Sequence, residues 1–252
     1  FDYLFSRNFL EHVQTRLPRY LDWFKEAADK YQLDWRLLAA MGYQESKWDP
    51  GAVSFTGVRG LMQLTEDTAA MMRAGNRLDP RASIFGGAKY LSRLLDTVPP
   101  RIEEPDRTWF AVAAYNVGFG HVEDARILTQ QQGRNPDRWE DVREILPLLS
   151  QERWYTRTRR GYARGWEPVR YVDNVQAYLN ILAVAGIGSA PAAAEQAAKE
   201  TLVKPKSKPK AQPAPSPAPP QRQPKAVPRK PSPAGPLTLL GPPVSDAPGR
   251  SS

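Results

Sequence analysis

The stretch Asp34-Trp35-Arg36-Leu37-Leu38-Ala39-Ala40-Met41-Gly42-Tyr43-Gln44-Glu45-Ser46 decides how the chain is read. Asp34 is suited to cap a helix, and the run from Trp35 onward has the apolar density of one. Glu45 falls four residues after Met41 and seven after Leu38, which places it on the buried stripe rather than the wet face. A carboxylate in a last turn meets the negative end of the helix dipole, and partial burial penalises its charge as well. Both effects raise its pKa and make Glu45 an expected general acid near neutral pH. Taken alone, the same residue also reads as a solvated glutamate in a fraying turn. The segments downstream decide between the two.

Working outward, the folded part, from Leu17 onward, reads as helix almost throughout. Leu17, Leu21, Phe24, Ala28 and Tyr31 recur at three- and four-residue intervals, with Pro18 tolerable in a first turn. Asp49-Pro50-Gly51 stops the helix that ends at Glu45, and a loop with glycines at 51, 57 and 60 follows. Thr65-Glu66-Asp67 predicts an N-cap and an acidic first turn for a helix closing at Gly75. Further helices are expected over Ser83 to Asp96, Asp106 to Tyr115, Gly120 to Gln132, Trp139 to Leu149 and Pro168 to Ala185. Period-two alternation is missing, so the expected class is all-α.

Composition divides the chain. All 25 Phe, Trp and Tyr residues occur at or before Tyr178, and 16 of the 25 prolines lie in residues 187–252. Only the first part can build a core; the Ala, Pro and Lys-rich stretch 188–252 reads as a disordered tail. Of 35 Lys and Arg, 10 lie in residues 187–252, and of 27 Asp and Glu, 3 do, leaving 25 basic against 24 acidic residues in the folded part. The basic pI of 9.7 therefore reports on the tail. The tail reads as a solvated spacer, or as a weak contact for an anionic surface. With no cysteine, and with His12 and His121 far apart and lacking ligand-spaced companions, no metal site or disulfide is expected. No apolar run is long enough to span a bilayer. The basic run Arg153, Arg157, Arg159, Arg160, Arg164 has no recognition motif beside it, so nucleic acid is not an expected partner. Trp48, Phe119, Trp154, Tyr155 and Trp166 could stack on sugars, but most of them are expected to be packing residues.

Four stretches occur in a fixed order: Glu45-Ser46; Gly60-Leu61-Met62-Gln63-Leu64-Thr65; Ala114-Tyr115-Asn116-Val117-Gly118; and Tyr171-Val172-Asp173-Asn174-Val175. Together they resemble the catalytic domain of the soluble-type lytic transglycosylases, over roughly residues 20–185. The resemblance implies a lysozyme-like helical fold and cleavage of peptidoglycan, with glycan strands and stem peptides as partners and no cofactor. One branch of that family shares a stretch like Gly161-Tyr162-Ala163-Arg164-Gly165 and carries a solute-binding-protein-like domain ahead of the catalytic one. By this resemblance residues 1–16 are a linker from an absent upstream domain, 17–187 the catalytic domain, and the location the periplasmic side of the outer membrane.

Cleaving a β-1,4 glycosidic bond needs a proton on the leaving oxygen and stabilisation of an oxocarbenium-like centre, commonly from two carboxylates. No second carboxylate suggests itself: Asp49 sits at the helix stop, and Glu66 and Asp67 belong to a capping turn. In the family a single glutamate first protonates the leaving oxygen. It then accepts the proton of the muramoyl C6 hydroxyl as a 1,6-anhydro ring closes. The resemblance gives Glu45 both roles. It implies that Ser46 and Ser54 bond the carboxylate or the substrate acetamido group, that Met62 and Gln63 line the sugar groove, and that Tyr115, Asn116 and Tyr171 meet the substrate. Against these stand ordinary roles: backbone caps for Ser46 and Ser54, core filling for Met62, a C-cap for Asn116, a buried tyrosine for Tyr171. Two rivals remain for the whole, a goose-type lysozyme that hydrolyses the same bond and a glycan-binding scaffold without turnover.

Overall fold

The computed structural model describes residues 3–54 and 57–186, which fall within one compact unit of the chain. The expected tail, 188–252, lies outside the described residues. Ten α-helices are described, with short 3-10 turns between some of them, and no strand occurs among the described residues.

The central element is α3, Trp35–Ser46, and it begins where Asp34 accepts the Arg36 N–H at 2.8 Å. Residues 37 to 43 of α3 are buried one after another, so its middle has no wet face at all. It is enclosed by α2 (Leu21–Tyr31) on one side and by α10 (Trp166–Val184) on another. α5 (Pro80–Thr97) and α6 (Asp106–Val117) pack together; α5 covers α2 and α6 lies against α10. α7 (Phe119–Gln131) and α8 (Trp139–Ile145) continue outward from α6. The all-α expectation holds.

Several boundaries differ for local reasons. α5 starts at Pro80 instead of Ser83, because Asp79 accepts the Ala82 N–H at 2.8 Å and proline fits the first position, where no donor is needed. The helix expected to run from Trp139 to Leu149 ends at Ile145 and tightens into a 3-10 turn, Leu146–Ser150, at Pro147. The one beginning at Leu17 opens as a 3-10 turn, Leu17–Arg19, before α2. α4, Glu66–Met72, starts at the expected Thr65 cap but stops at Arg73, which takes a left-handed conformation before Gly75 is reached. A short α9, Glu152–Tyr155, was not expected.

The described part of the segment expected as a linker, 3–16, is mostly helical. Tyr3–Thr15 form α1, and Phe9 is 0% exposed with its ring centroid 4.6 Å from Tyr43 and 4.5 Å from Tyr178. Phe9, Val13 and Leu17 are all buried, a four-residue repeat that continues the helical stripe upstream. Arg16 then donates from Nη1 to the Lys47 carbonyl at 3.0 Å, so this segment braces the end of α3.

Candidate functional site

Glu45 is the penultimate residue of α3. The two residues after the helix, Lys47 and Trp48, both have φ of 56°, so the chain leaves it through two consecutive left-handed residues. Trp48 drops into the core, where its Nε1 donates to the Ala39 carbonyl at 2.9 Å. The reversal ends the enclosed helix with Glu45 half-buried, where α10 passes over α3.

The Tyr171 hydroxyl, from the first half of α10, donates to Glu45 Oε1 at 2.7 Å. Burial pushes the Glu45 carboxyl up from 4.5 to about 7, against smaller downward pulls from the Tyr171 hydrogen bond and the Lys47 charge. Desolvation is thus the main cause of the raised pKa. Tyr171 and Tyr115 are themselves pushed well above 10 by burial, and the nearby Glu45 charge adds to this, so both stay neutral hydroxyl donors. Tyr115 donates to the Met62 carbonyl at 3.0 Å, which fixes the 60–64 loop against α6.

That loop depends on Gly60, whose φ is 94° and where an added Cβ would lie 2.2 Å from the Arg77 carbonyl oxygen. Ser83 holds the loop from the other side, accepting the Met62 N–H at 3.0 Å. Gln63 follows with φ of 46°, donating from Nε2 to the carbonyls of Gly60 (2.8 Å) and Ala52 (3.2 Å). Its Oε1 is buried and finds no protein donor.

The sequence-expected residues therefore divide. Glu45, Tyr171 and Tyr115 form one cluster, and Asn116 shares a groove with Tyr171. Ser46 does not bond the carboxylate: it is 6% exposed, and its hydroxyl donates to the carbonyls of Gly42 (3.1 Å) and Leu61 (2.8 Å). It ties the end of α3 to the 60–64 loop. The Met62 side chain lines no groove either, being 0% exposed and lodged beside Gly42 and Gly87. Its contribution near Tyr115 is its carbonyl. Ser54 accepts the Val58 N–H at 2.9 Å, beside an isolated bridge between Val53 and Arg59.

The groove, of 390 Å³, is lined by Tyr171 with the half-buried Gln44, Lys47, Asn174 and Glu167, and by the exposed Asn116, Trp166 and Arg170. Reading the sequence missed most of these. Glu167, Arg170 and Asn174 stand four before, one before and three after Tyr171, and helical spacing from that tyrosine puts Glu167 and Asn174 on its face. Trp166, expected among packing residues, is 49% exposed. Lys47 lies over the Tyr43 ring at 4.6 Å and donates to the Tyr178 hydroxyl at 3.3 Å; burial lowers its pKa to about 8. Asn174 donates to Gln44 Oε1 at 3.2 Å, linking α10 to α3 next to the glutamate.

Residues 22–137 match the family model described as the transglycosylase SLT domain. The chain is 62% identical over 182 residues to membrane-bound lytic murein transglycosylase F 1 of Alkalilimnicola ehrlichii, covering 72% of this chain and 37% of that protein. It is 58% identical over 180 residues to membrane-bound lytic murein transglycosylase F of Pseudomonas fluorescens, covering 71% and 37%. The Hahella chejuensis protein of the same name is 56% identical over 181 residues, covering 72% and 36%. The chain thus spans little more than a third of the length of these curated relatives. A solved structure of an inactive mutant of the lytic transglycosylase Slt from Pseudomonas aeruginosa is 24% identical, with a TM-score of 0.45, over 63% of this chain and 23% of that one.

Proposed function

Since this chain carries a transglycosylase SLT domain over residues 22–137, we propose that it cleaves the β-1,4 bond between N-acetylmuramic acid and N-acetylglucosamine in peptidoglycan, leaving 1,6-anhydromuramoyl ends. The observation that carries this reading is the Glu45 carboxyl, held at a pKa of about 7 beside a groove, with one oxygen already engaged by Tyr171.

In this reading Glu45 enters protonated and gives its proton to the glycosidic oxygen as the C1–O bond breaks. The carboxylate left behind keeps the Tyr171 hydrogen bond, which is stronger to an anion than to a neutral acid. Glu45 then takes the proton of the C6 hydroxyl while its oxygen closes on C1, so the enzyme ends in its starting protonation state. Tyr171 stabilises the charge that develops between the two proton transfers. The groups acting on Glu45 are Tyr171 and Lys47, with no carboxylate among them. The acid that lines the groove, Glu167, is paired with Arg164 at 3.2 Å. A single free acid suits an internal nucleophile better than a base-activated water.

The periplasmic side of the outer membrane is the proposed location, reasoning from the relatives described as membrane-bound; among the described residues no helix is long and apolar enough to cross a membrane. Residues 188–252 are proposed as a tail apart from catalysis, since every site residue precedes them. Mass spectrometry of a murein digest tests the reaction. Muropeptides lacking one water are expected, and exclusively reducing muramic ends would replace the transglycosylase with the goose-type hydrolase. Glu45→Gln is expected to abolish release; undiminished release would remove Glu45 from the mechanism.

A further inference from the structure

Lys47 is the first residue after α3, two places beyond Glu45, and its left-handed backbone lets its side chain lie over the residue four positions back. Its Nζ stands 4.6 Å from the Tyr43 ring centroid and 5.3 Å from that of Tyr178, and it donates to the Tyr178 hydroxyl at 3.3 Å. The main chain is clamped as well. The Lys47 N–H donates to the Tyr43 carbonyl at 2.8 Å, and the Lys47 carbonyl accepts from Arg16, just past α1, at 3.0 Å. His12 of α1 shares a hydrogen bond of 3.0 Å with the Tyr43 hydroxyl, so the aromatic seat is itself braced. A lysine held at its backbone, along its stem and at its tip has given up the freedom that surface lysines keep.

Burial is the larger effect on both members of the Glu45 and Lys47 pair, raising the carboxyl to about 7 and lowering the ammonium to about 8. Against it, each charge favours the other: Lys47 draws the Glu45 carboxyl down and Glu45 draws the Lys47 ammonium up. The titratable and charged groups around the pair are Tyr171 and Tyr178 of α10, Tyr115 of α6 and Tyr43 of α3, with Glu11, His12 and Arg16 on the α1 side. Glu167 and Arg170 of α10 line the adjoining groove. Of the cations among these, Lys47 is the one that acts on Glu45.

We propose that Lys47 is a positioning residue for the reaction: seated on Tyr43 and Tyr178, its ammonium stabilises the Glu45 carboxylate that exists between the two proton transfers. The assignment rests on the peptidoglycan reading above and adds to Tyr171 a second group that favours the ionised acid. Lys47 acts through Glu45 and keeps its own proton throughout. It is charged at every pH at which Glu45 is protonated and able to act as the acid, since the ammonium titrates above the carboxyl.

The test compares the unmutated chain with Lys47→Met and Lys47→Arg, measuring kcat and KM on soluble murein glycan from pH 5 to 9. Lys47→Met should lower kcat on the acid plateau by roughly tenfold and move the alkaline limb up by about one pH unit, the low end for losing a nearby opposite charge, with KM little changed. Lys47→Arg should restore most of both, because a guanidinium stays charged and also stacks on aromatic faces. A kcat loss in Lys47→Met with the alkaline limb unmoved overturns the proposal, as do equal losses in the Met and Arg variants; either would leave Lys47 a packing role. A second readout needs no turnover: the carboxyl carbon of Glu45, followed by NMR in protein labelled at glutamate and assigned by its absence in Glu45→Gln, should titrate at higher pH in Lys47→Met. An unchanged titration overturns the proposal. Failure of the unmutated chain to cleave would count against the lytic reaction, while the carboxyl titration would still decide whether Lys47 acts on Glu45.

Discussion

Tyr171 donates its hydroxyl to Glu45 across 2.7 Å, joining two side chains 126 positions apart in the chain. The bond lowers the carboxyl pKa while burial raises it by more, so the acid is held near neutrality between opposed effects. Removing the hydroxyl should act on rate and pH dependence together. Tyr171→Phe is expected to lower kcat by about a hundredfold, the scale for losing one donor to a developing anion. The alkaline limb of the profile should move to higher pH, because a downward influence on Glu45 has gone. Rates on soluble glycan from pH 5 to 9 provide the check.

Glu45 also makes stability depend on pH. Its carboxyl ionises near 4.5 when unfolded and near 7 when folded, so between those values the native state binds more protons. Stability therefore falls as pH rises through that window and levels off above about 7, by about 3 kcal/mol in all for a shift of this size. Glu45→Gln should lose this slope and be more stable than the parent at pH 8. Urea unfolding midpoints at pH 4.5 and pH 8 give the comparison.

Phe9 tests whether α1 belongs to the packed body. Its ring meets Tyr43, Trp48 and Tyr178, so Phe9→Ala should destabilise the protein by about 3–5 kcal/mol. A linker residue would change stability by about 0.5 kcal/mol or less. Chemical denaturation of the variant separates the two outcomes.

Gly60 carries the loop between Ser46 and Tyr115. Gly60→Ala sets a methyl against the Arg77 carbonyl in a backbone conformation that disfavours side chains. The expected cost is on the order of 1–3 kcal/mol for the conformation, before the clash is relieved. Relief has to move the Met62 carbonyl and Gln63, so activity should fall further than stability suggests. Activity and melting temperature measured on one preparation would show this.

Spacing along single helices was legible in the sequence, and contacts between helices were not. Glu45 could be placed by its distance from Leu38 and Met41 because both lie in the same helix. The Asp34 and Thr65 caps were readable for the same reason, each accepting an N–H two or three residues on. For Ser46 the local alternative, a backbone bond, covers the Gly42 carbonyl, whereas its second acceptor, the Leu61 carbonyl, arrives from another segment and could not be read. Lys47, Gln44 and Arg170 become neighbours only when α10 lies across α3, and composition is silent on that. Phe9, Val13 and Leu17 of the upstream segment repeat at the same helical spacing and are buried together.

Met62 links two regions that look independent. Its side chain fits between Gly42 of α3 and Gly87 of α5, where an added Cβ would come within 3.2 Å and 2.9 Å of it, while its carbonyl receives Tyr115. The thioether works as a shim between α3 and α5, at the residue whose carbonyl anchors the phenol. A methyl group inserted at residue 87, well inside the scaffold, would therefore be felt at the cleft as a misaligned hydroxyl, and libraries aimed at retuning the proposed activity should treat those two glycines as part of the working surface.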